Sequence, residues 1–210
     1  MPSCARRPRS ETSGHKRRLN EARKAALALL TQHRPADDKE ARDLDRVRSL
    51  ILTHPEIFSR SCEVGHITAS AVIIEPVSRR ILLHYHKRLR RWLQVGGHLD
   101  GEFDIAQAAL REAREETGLP DLRLLATAGA PTDIDIHTIP QSADEAEHLH
   151  LDFRYILITS QPEALAPAPG ESTRFRWLHL DDAFAMDDEI DASLRRLLRK
   201  ACDTIADSAL

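Results

Sequence analysis

The chain has 210 residues, 30 of them basic and 33 acidic, for a formal net charge of -3. That length suits one catalytic domain of roughly 100–200 residues plus an appended segment, and the slight acidity argues against a protein held to a polyanion by its overall charge. No stretch approaches the roughly 18 uninterrupted apolar residues of a membrane span, and the N-terminus lacks the apolar run of a secretory signal, so a cytoplasmic protein is expected.

Residues 1–18 carry Arg6, Arg7, Arg9, Lys16, Arg17 and Arg18 against Glu11, without apolar periodicity, which predicts a disordered basic tail. A nucleic-acid-binding arm is the other reading. With aromatic residues at 4% and none interleaved with the basic ones, nucleic acid is not expected as a partner. From Leu19 the apolar residues Leu19, Ala22, Ala26, Leu29 and Leu30 recur at helical steps until Pro35, and Leu44, Val47, Leu50 and Ile51 form a second stripe ending near Pro55. Residues 19–62 therefore read as a helical segment packed on the main domain, with a lid or a homodimer contact as alternatives. Cys4, Cys62 and Cys202 are widely spaced, with no Cys-x-x-Cys pair, and are expected as reduced thiols.

The main domain, 63–206, opens on short strands. Thr68 to Ile74 and Arg80 to His84 flank a turn at Glu75-Pro76-Val77-Ser78, and Trp92 to Val95 leads into Gly96-Gly97. A helix over Asp104 to Thr117 follows, capped by Asp104 with Gln107 three residues on, and closed by Gly118. Further strands are predicted at Leu122 to Thr127, Ile134 to Thr138, Leu149 to Thr159 and Arg174 to Leu178, and terminal helices at Asp181 to Met186 and Ile190 to Ala206. Strands around a central helix, with helices at both ends, predict a mixed α/β (α+β) architecture.

On the central helix Glu112, Glu115 and Glu116 stand at i, i+3 and i+4, on adjoining turns of one face. Like charges so placed repel, so either solvent and Arg111 or Arg114 screen them or a cation fills the cluster. Hard oxygen ligands suit Mg²⁺ or Mn²⁺. The diglycine upstream allows close backbone approach, so that a carbonyl of Gly96 or Gly97 could join a metal or face a phosphate.

The segment Gly97 to Leu119 resembles the Nudix box. Gly97 is followed by five residues, then Phe103, then seven residues, then Arg111-Glu112-Ala113-Arg114-Glu115-Glu116-Thr117-Gly118-Leu119, with every spacing kept. Phe103 stands where the box has its first Glu, for which Glu102 is a substitute one position earlier, and Ala113 replaces a larger aliphatic residue. The resemblance takes in roughly residues 64 to 185 and implies a Nudix-type α/β/α sandwich with a mixed sheet.

It also implies a divalent-metal-dependent hydrolase, in which water attacks a phosphorus of a small-molecule nucleoside diphosphate linked to another moiety. Glu112, Glu115, Glu116 and the Gly97 carbonyl would hold Mg²⁺ or Mn²⁺, and Arg111 would pair with the carboxylates, with Gly96 and Gly118 structural in the motif. The proton would go to Glu112 (or Glu115) or to a downstream loop carboxylate, Glu145 or Glu147.

Other residues are left with two readings each. The run Lys87, Arg88, Arg90, Arg91 sits where Arg88 and Arg91 could grip a substrate phosphate, or is a solvated loop. His98, after the glycines, is placed for substrate or metal, as is His66; His148, His150 and Asp152 alternate along one strand face. All of these could instead be ordinary half-buried polar residues. His66, His98, Glu145 and Glu147 match the ligand pattern of isopentenyl-diphosphate isomerase, a Nudix-fold relative, but that enzyme has a cysteine where this chain has Gly96. A Nudix-fold binding module without turnover is the other alternative, against which the intact glutamate cluster argues.

Overall fold

The computed structural model describes residues 13–207 except 88, 126–128, 143, 144, 187 and 188. The elements run α1 (Ser13–Gln32), α2 (Asp38–Thr53), β1 (Gly65–Glu75), β2 (Arg80–His86), β3 (Arg91–Leu93), β4 (Val95–His98), α3 (Ile105–Thr117), β5 (Arg123–Leu124), β6 (Asp133–Ile139), β7 (His148–Ile158), β8 (Phe175–His179), α4 (Leu180–Phe184) and α5 (Ala192–Asp207). β1 and β7 are the parallel centre of a mixed sheet. β2 and β4 pair antiparallel with β1, β5 and β6 with β7, and β3 and β8 with β2.

The two faces of the central strands are sorted by residue parity. The odd residues Ile67, Ala69, Ala71 and Ile73 of β1 and Leu151, Phe153, Tyr155 and Leu157 of β7 form one core with α1, α2 and α3. The even residues change character along the strand. Val72 and Ile74, with Ile156 and Ile158, are apolar and covered by Leu194, Leu197 and Leu198 of α5, each such burial contributing about 1.5–3 kcal/mol. His66, Thr68 and Ser70, with His148, His150, Asp152 and Arg154, are polar. Where the even face turns polar it lines a cavity of about 790 Å³.

The helical segment is part of the same core, since Leu30, Val47 and Ile51 are fully buried within it. Its two helices tie each other's ends: Arg23 donates to the carbonyls of Ile51 and Leu52, and Arg48 to that of Leu30. α2 also completes the edge of the sheet. The amides of Ile134 and Ile136 on β6 donate to Glu40 Oε1 and Asp43 Oδ2 at 3.1 and 3.0 Å, which removes donors an edge strand otherwise leaves open.

Three expectations change. The basic tail does not extend to residue 18, because α1 begins at Ser13 and places Lys16, Arg17 and Arg18 in a helix; residues 1–12, with Cys4, lie outside the described residues. The cause sits at Phe103, whose ring meets Phe58 at 6.1 Å, His15 at 6.0 Å and the Arg18 guanidinium at 5.4 Å, so the first turns of α1 have an aromatic surface to pack on. The strand expected at Trp92 to Val95 divides at Gln94, β3 pairing with β2 and β4 with β1. The strand expected over Leu122 to Thr127 is ordered as β5 at Arg123–Leu124 only, with Ala126 and Thr127 outside the described residues. Cys62 and Cys202 are free thiols, as expected.

Candidate active site

α3 brings its carboxylates to the cavity because both ends of the helix are fixed. Asp104 caps the first turn, accepting from the Gln107 amide at 3.1 Å, and Gly118 ends the helix at φ 68°, its amide bonded to Arg114 O at 2.8 Å. The loop after β7 satisfies further C-terminal carbonyls, with Ala166 N donating to Thr117 O and Ala168 N to Glu115 O. Ala108, Ala109 and Ala113 are fully buried. Small side chains on that face let α3 lie close against β1 and β4, and the substitution of Ala113 for a larger aliphatic residue fits this.

Glu112 and Glu116 line the cavity beside Gly96 and Gly97, whereas Glu115 is exposed and is not on its wall. A Cβ on Gly97 would come within 2.5 Å of Glu112 Oε2, so the carboxylate occupies space that only glycine leaves free. Glu116 Oε2 accepts from the Gly96 amide at 3.2 Å, and His84 Nδ1 lies 3.9 Å from it. Burial pushes the Glu116 carboxyl up to about 8, against the pull of that amide, with Glu171, Glu112 and Glu115 adding repulsion. Burial also raises Glu112, offset in part by Arg111. His84 supplies no compensating charge, since burial lowers it to about 4.

Arg111 lies among the carboxylates. It contacts Glu112 Oε1 at 2.9 Å and Glu115 Oε2 at 3.0 Å, donates to the His98 carbonyl at 2.8 Å, and has Glu102 at 3.4 Å. Glu102 thus reaches the loop–helix junction while the neighbouring Phe103 faces the N-terminal helices. A divalent cation fits the site: two half-buried carboxylates face the cavity beside backbone carbonyls, and Arg111 meets Glu112 but not Glu116.

The other predicted residues are spread out. Arg91 and His98 line the cavity, with Arg91 exposed and 3.9 Å from Asp191; Arg88 lies outside the described residues. Glu145 and Glu147 are exposed before β7 and are not among the cavity's lining residues, so the downstream base is not brought to the glutamates. His66, His98, His148 and His150 do come together, with ring centroids 4.9–5.2 Å apart for the pairs His66–His98, His66–His148, His66–His150, His98–His150 and His148–His150.

Sequence reasoning passed over a buried ion network on the wall opposite α3. Register sets Asp133, Asp135 and His137 of β6 against Arg154, Asp152 and His150 of β7, and Ser70, Thr68 and His66 of β1 against the same three. Arg154 binds Asp152 and Asp135 at 3.0 Å and Ser193 at 3.0 Å; Arg196 of α5 binds Asp133 at 2.7 Å; Lys39 binds Asp135 at 2.6 Å; Lys200 and His33 bind Glu40. Burial opposes the charge on Asp135, but Arg154, His137 and Lys39 outweigh it and hold the carboxyl well below its usual range. The same holds for Glu40 through His33, Lys200 and the amides of Ala36 and Ile134. The signal was legible: Asp133-x-Asp135 and Asp152-x-Arg154 at strand spacing, and Arg196 with Lys200 one helical turn apart.

A family model described as the NUDIX domain matches residues 65–201. The chain belongs to the Nudix family. A curated protein of Lactococcus lactis named as a probable DHNTP pyrophosphohydrolase is 31% identical over 121 residues, 56% of this chain and 66% of that protein, just under two thirds of its length. A solved NUDIX-family hydrolase from Clostridium perfringens is 28% identical, with a TM-score of 0.49 over 67% of this chain and 96% of that one. A C. elegans Ap4A hydrolase is 22% identical, with a TM-score of 0.49 over 67% and 97%. No helix among the described residues is long and apolar enough to cross a membrane.

Proposed function

We propose that this chain hydrolyses a diphosphate bond in a small nucleoside diphosphate derivative, with water attacking phosphorus and Mg²⁺ or Mn²⁺ held by Glu112, Glu116 and the Gly97 carbonyl. The observation that carries the reading is the pair of half-buried carboxylates on the cavity wall, one of which, Glu116, is bonded to a single backbone amide. A divalent cation bound there neutralises diphosphate charge and lowers the pKa of water. Glu112, on the cavity side of Arg111, takes the proton from the attacking water. Arg111 and Glu102 hold the loop that presents the Gly97 carbonyl, with Glu115 completing the ion cluster at the solvent side. Arg91 contacts the substrate beyond the scissile bond. A cytoplasmic location belongs to the same reading.

The test is a panel of nucleotide sugars, Ap4A and dihydroneopterin triphosphate, the last two being substrates printed in the names of relatives, each incubated with Mg²⁺ or Mn²⁺ in ¹⁸O-water. Metal-dependent cleavage placing one ¹⁸O on a phosphate product is the expected outcome. Tight binding of a panel member without cleavage would instead make the chain a binding module.

A further inference from the structure

The polar row at the start of β1 and β7 is made of imidazoles. His66 on β1 and His150 on β7 are in register, His148 is two residues earlier on the same face, and His98 reaches them from the end of β4. His66 is 4% exposed, and neither of its ring nitrogens has a hydrogen-bond partner. An imidazole offers one donor and one acceptor, and leaving buried polar atoms unmet costs about 1–3 kcal/mol each. The nearby Asp152 gives no relief, because it already accepts from Thr68, Ser70, Gln94 and Arg154. Neither ring nitrogen of His66 makes a hydrogen bond, so its lone pair is open to an electron-pair acceptor.

We propose that His66, His148 and His150, with His98 as the fourth ligand, bind one divalent transition-metal ion of the zinc class, at a site separate from the α3 carboxylates. One ligand nitrogen from each of the first three residues lies within 4.8 Å of the others. In a tetrahedral site with metal–nitrogen bonds of about 2.0–2.1 Å, ligand atoms are about 3.3 Å apart, so the rings must close by about an ångström or two. Burial keeps His66 near 4 and His150 near 2, leaving their lone pairs free at neutral pH. His148 already has the partner that ligating histidines use, its Nδ1 lying 2.8 Å from the Ala146 carbonyl, which leaves Nε2 for a metal. His137, beside this group, is instead held by Asp135 at 3.2 Å.

Donor chemistry separates the two sites. All-imidazole ligation suits zinc, cobalt or nickel, whereas the carboxylates of α3 suit Mg²⁺ or Mn²⁺. An ion can arrive without opening the core, since His66 and His98 line a second cavity of about 470 Å³ and His98 and His150 line the first. Four protein ligands would close the shell, which is the pattern of a structural site, here joining the starts of β1 and β7 to the end of β4.

The experiment uses the full chain stripped of metal and then given Zn²⁺ or Co²⁺ in the presence of excess Mg²⁺. Expected are one zinc per chain by elemental analysis, a rise in the melting temperature, and the visible ligand-field absorption of four-coordinate cobalt. His148 is half-buried, so His148→Gln is expected to fold. It should bind Zn²⁺ about a hundredfold more weakly or worse, as even outer partners of ligands are worth 10–100-fold. His98→Gln serves as the second variant should His148→Gln melt early without metal, while Glu116→Gln should keep the zinc. Absence of stoichiometric zinc in the unmodified chain overturns the proposal. So does zinc lost in Glu116→Gln but kept in the folded histidine variants, which would place it on the carboxylates.

Discussion

Two groups of carboxylates withdrawn from solvent differ in what surrounds them. Asp133, Asp135, Asp152 and Glu40 are enclosed by Arg154, Arg196, Lys39 and Lys200, and Asp135 and Glu40 are held ionised far below their usual range. Glu116, which accepts from the amide of Gly96 in the diglycine, has that one amide and a neutral histidine, and burial drives it up to about 8. Burial is common to both groups. Compensation is what separates Asp135 and Glu40 from Glu116; Asp133, although paired with Arg196 and Arg154, is itself raised by burial.

The largest effect expected of breaking this division is on stability. Arg154→Met keeps the volume but strands Asp133, Asp135 and Asp152 without their central cation. Removing one partner of a buried ion pair costs about 3–5 kcal/mol, a large part of the roughly 5–15 kcal/mol total of a typical domain, and urea denaturation should show it. Glu116→Gln should act in the opposite sense. It replaces a carboxyl that burial already keeps largely protonated at neutral pH with a neutral amide, so the unfolding midpoint should hold at neutral pH and rise at higher pH, while metal-dependent turnover falls by about a hundredfold or more, equivalent to about 3 kcal/mol of barrier. A large loss of stability in this variant would place Glu116 with the structural group.

Much of this was legible beforehand. Gly97 to Leu119 fixed helix, cap and carboxylate face through local spacing, because one helix carries all of its residues and the register of a helix is set by its own sequence. Residues that depend on partners far along the chain were harder. Asp133 meets Arg154 through strand pairing and Arg196 through the packing of α5, and neither partner is implied by the other's neighbours in sequence. Phe103 read as a defect in a motif until the Phe58 and His15 rings gave it a surface. The histidines were visible as an excess and as an alternation. That His66 should lack any hydrogen-bond partner is a property only of the packed molecule.

The pH dependence of stability follows from the compensated group. Glu40 and Asp135 have folded pKa values below their unfolded ones of about 4.3 and 3.9, so between the two the unfolded chain binds more protons. Their stabilisation is complete above about pH 5 and is lost as the pH falls through the folded values. The urea midpoint should therefore fall steeply below about pH 4.5, and the slope should flatten in Glu40→Gln. Gly97→Ala probes the other group more gently. Its Cβ would displace the Glu112 carboxylate, the flexible end of a side chain, so the fold should lose under about 1 kcal/mol, in the range of surface substitutions and mild strain. The Mg²⁺ concentration needed for half-maximal activity should rise at least severalfold.

The smallest expected effect decides where the proton goes. Glu147 is exposed at the approach to β7 and is not on the cavity wall, whereas Glu112 is on it and is held by Arg111 at 2.9 Å. A general base must stand within about 2.6–3.2 Å of the water it deprotonates, or one water away. For Glu147 to meet that requirement, the loop between β6 and β7 would have to fold inward over the cavity when substrate binds. If the loop stays where it is, Glu147→Gln should change kcat less than about twofold, as exposed substitutions generally do little, and its pH–rate profile should overlay that of the unmodified chain. A hundredfold loss of kcat with KM preserved, and the disappearance of the acidic limb of that profile, would move the base from α3 to the loop. It would also make loop closure part of the catalytic cycle, leaving Glu112 and Glu116 to hold the metal alone.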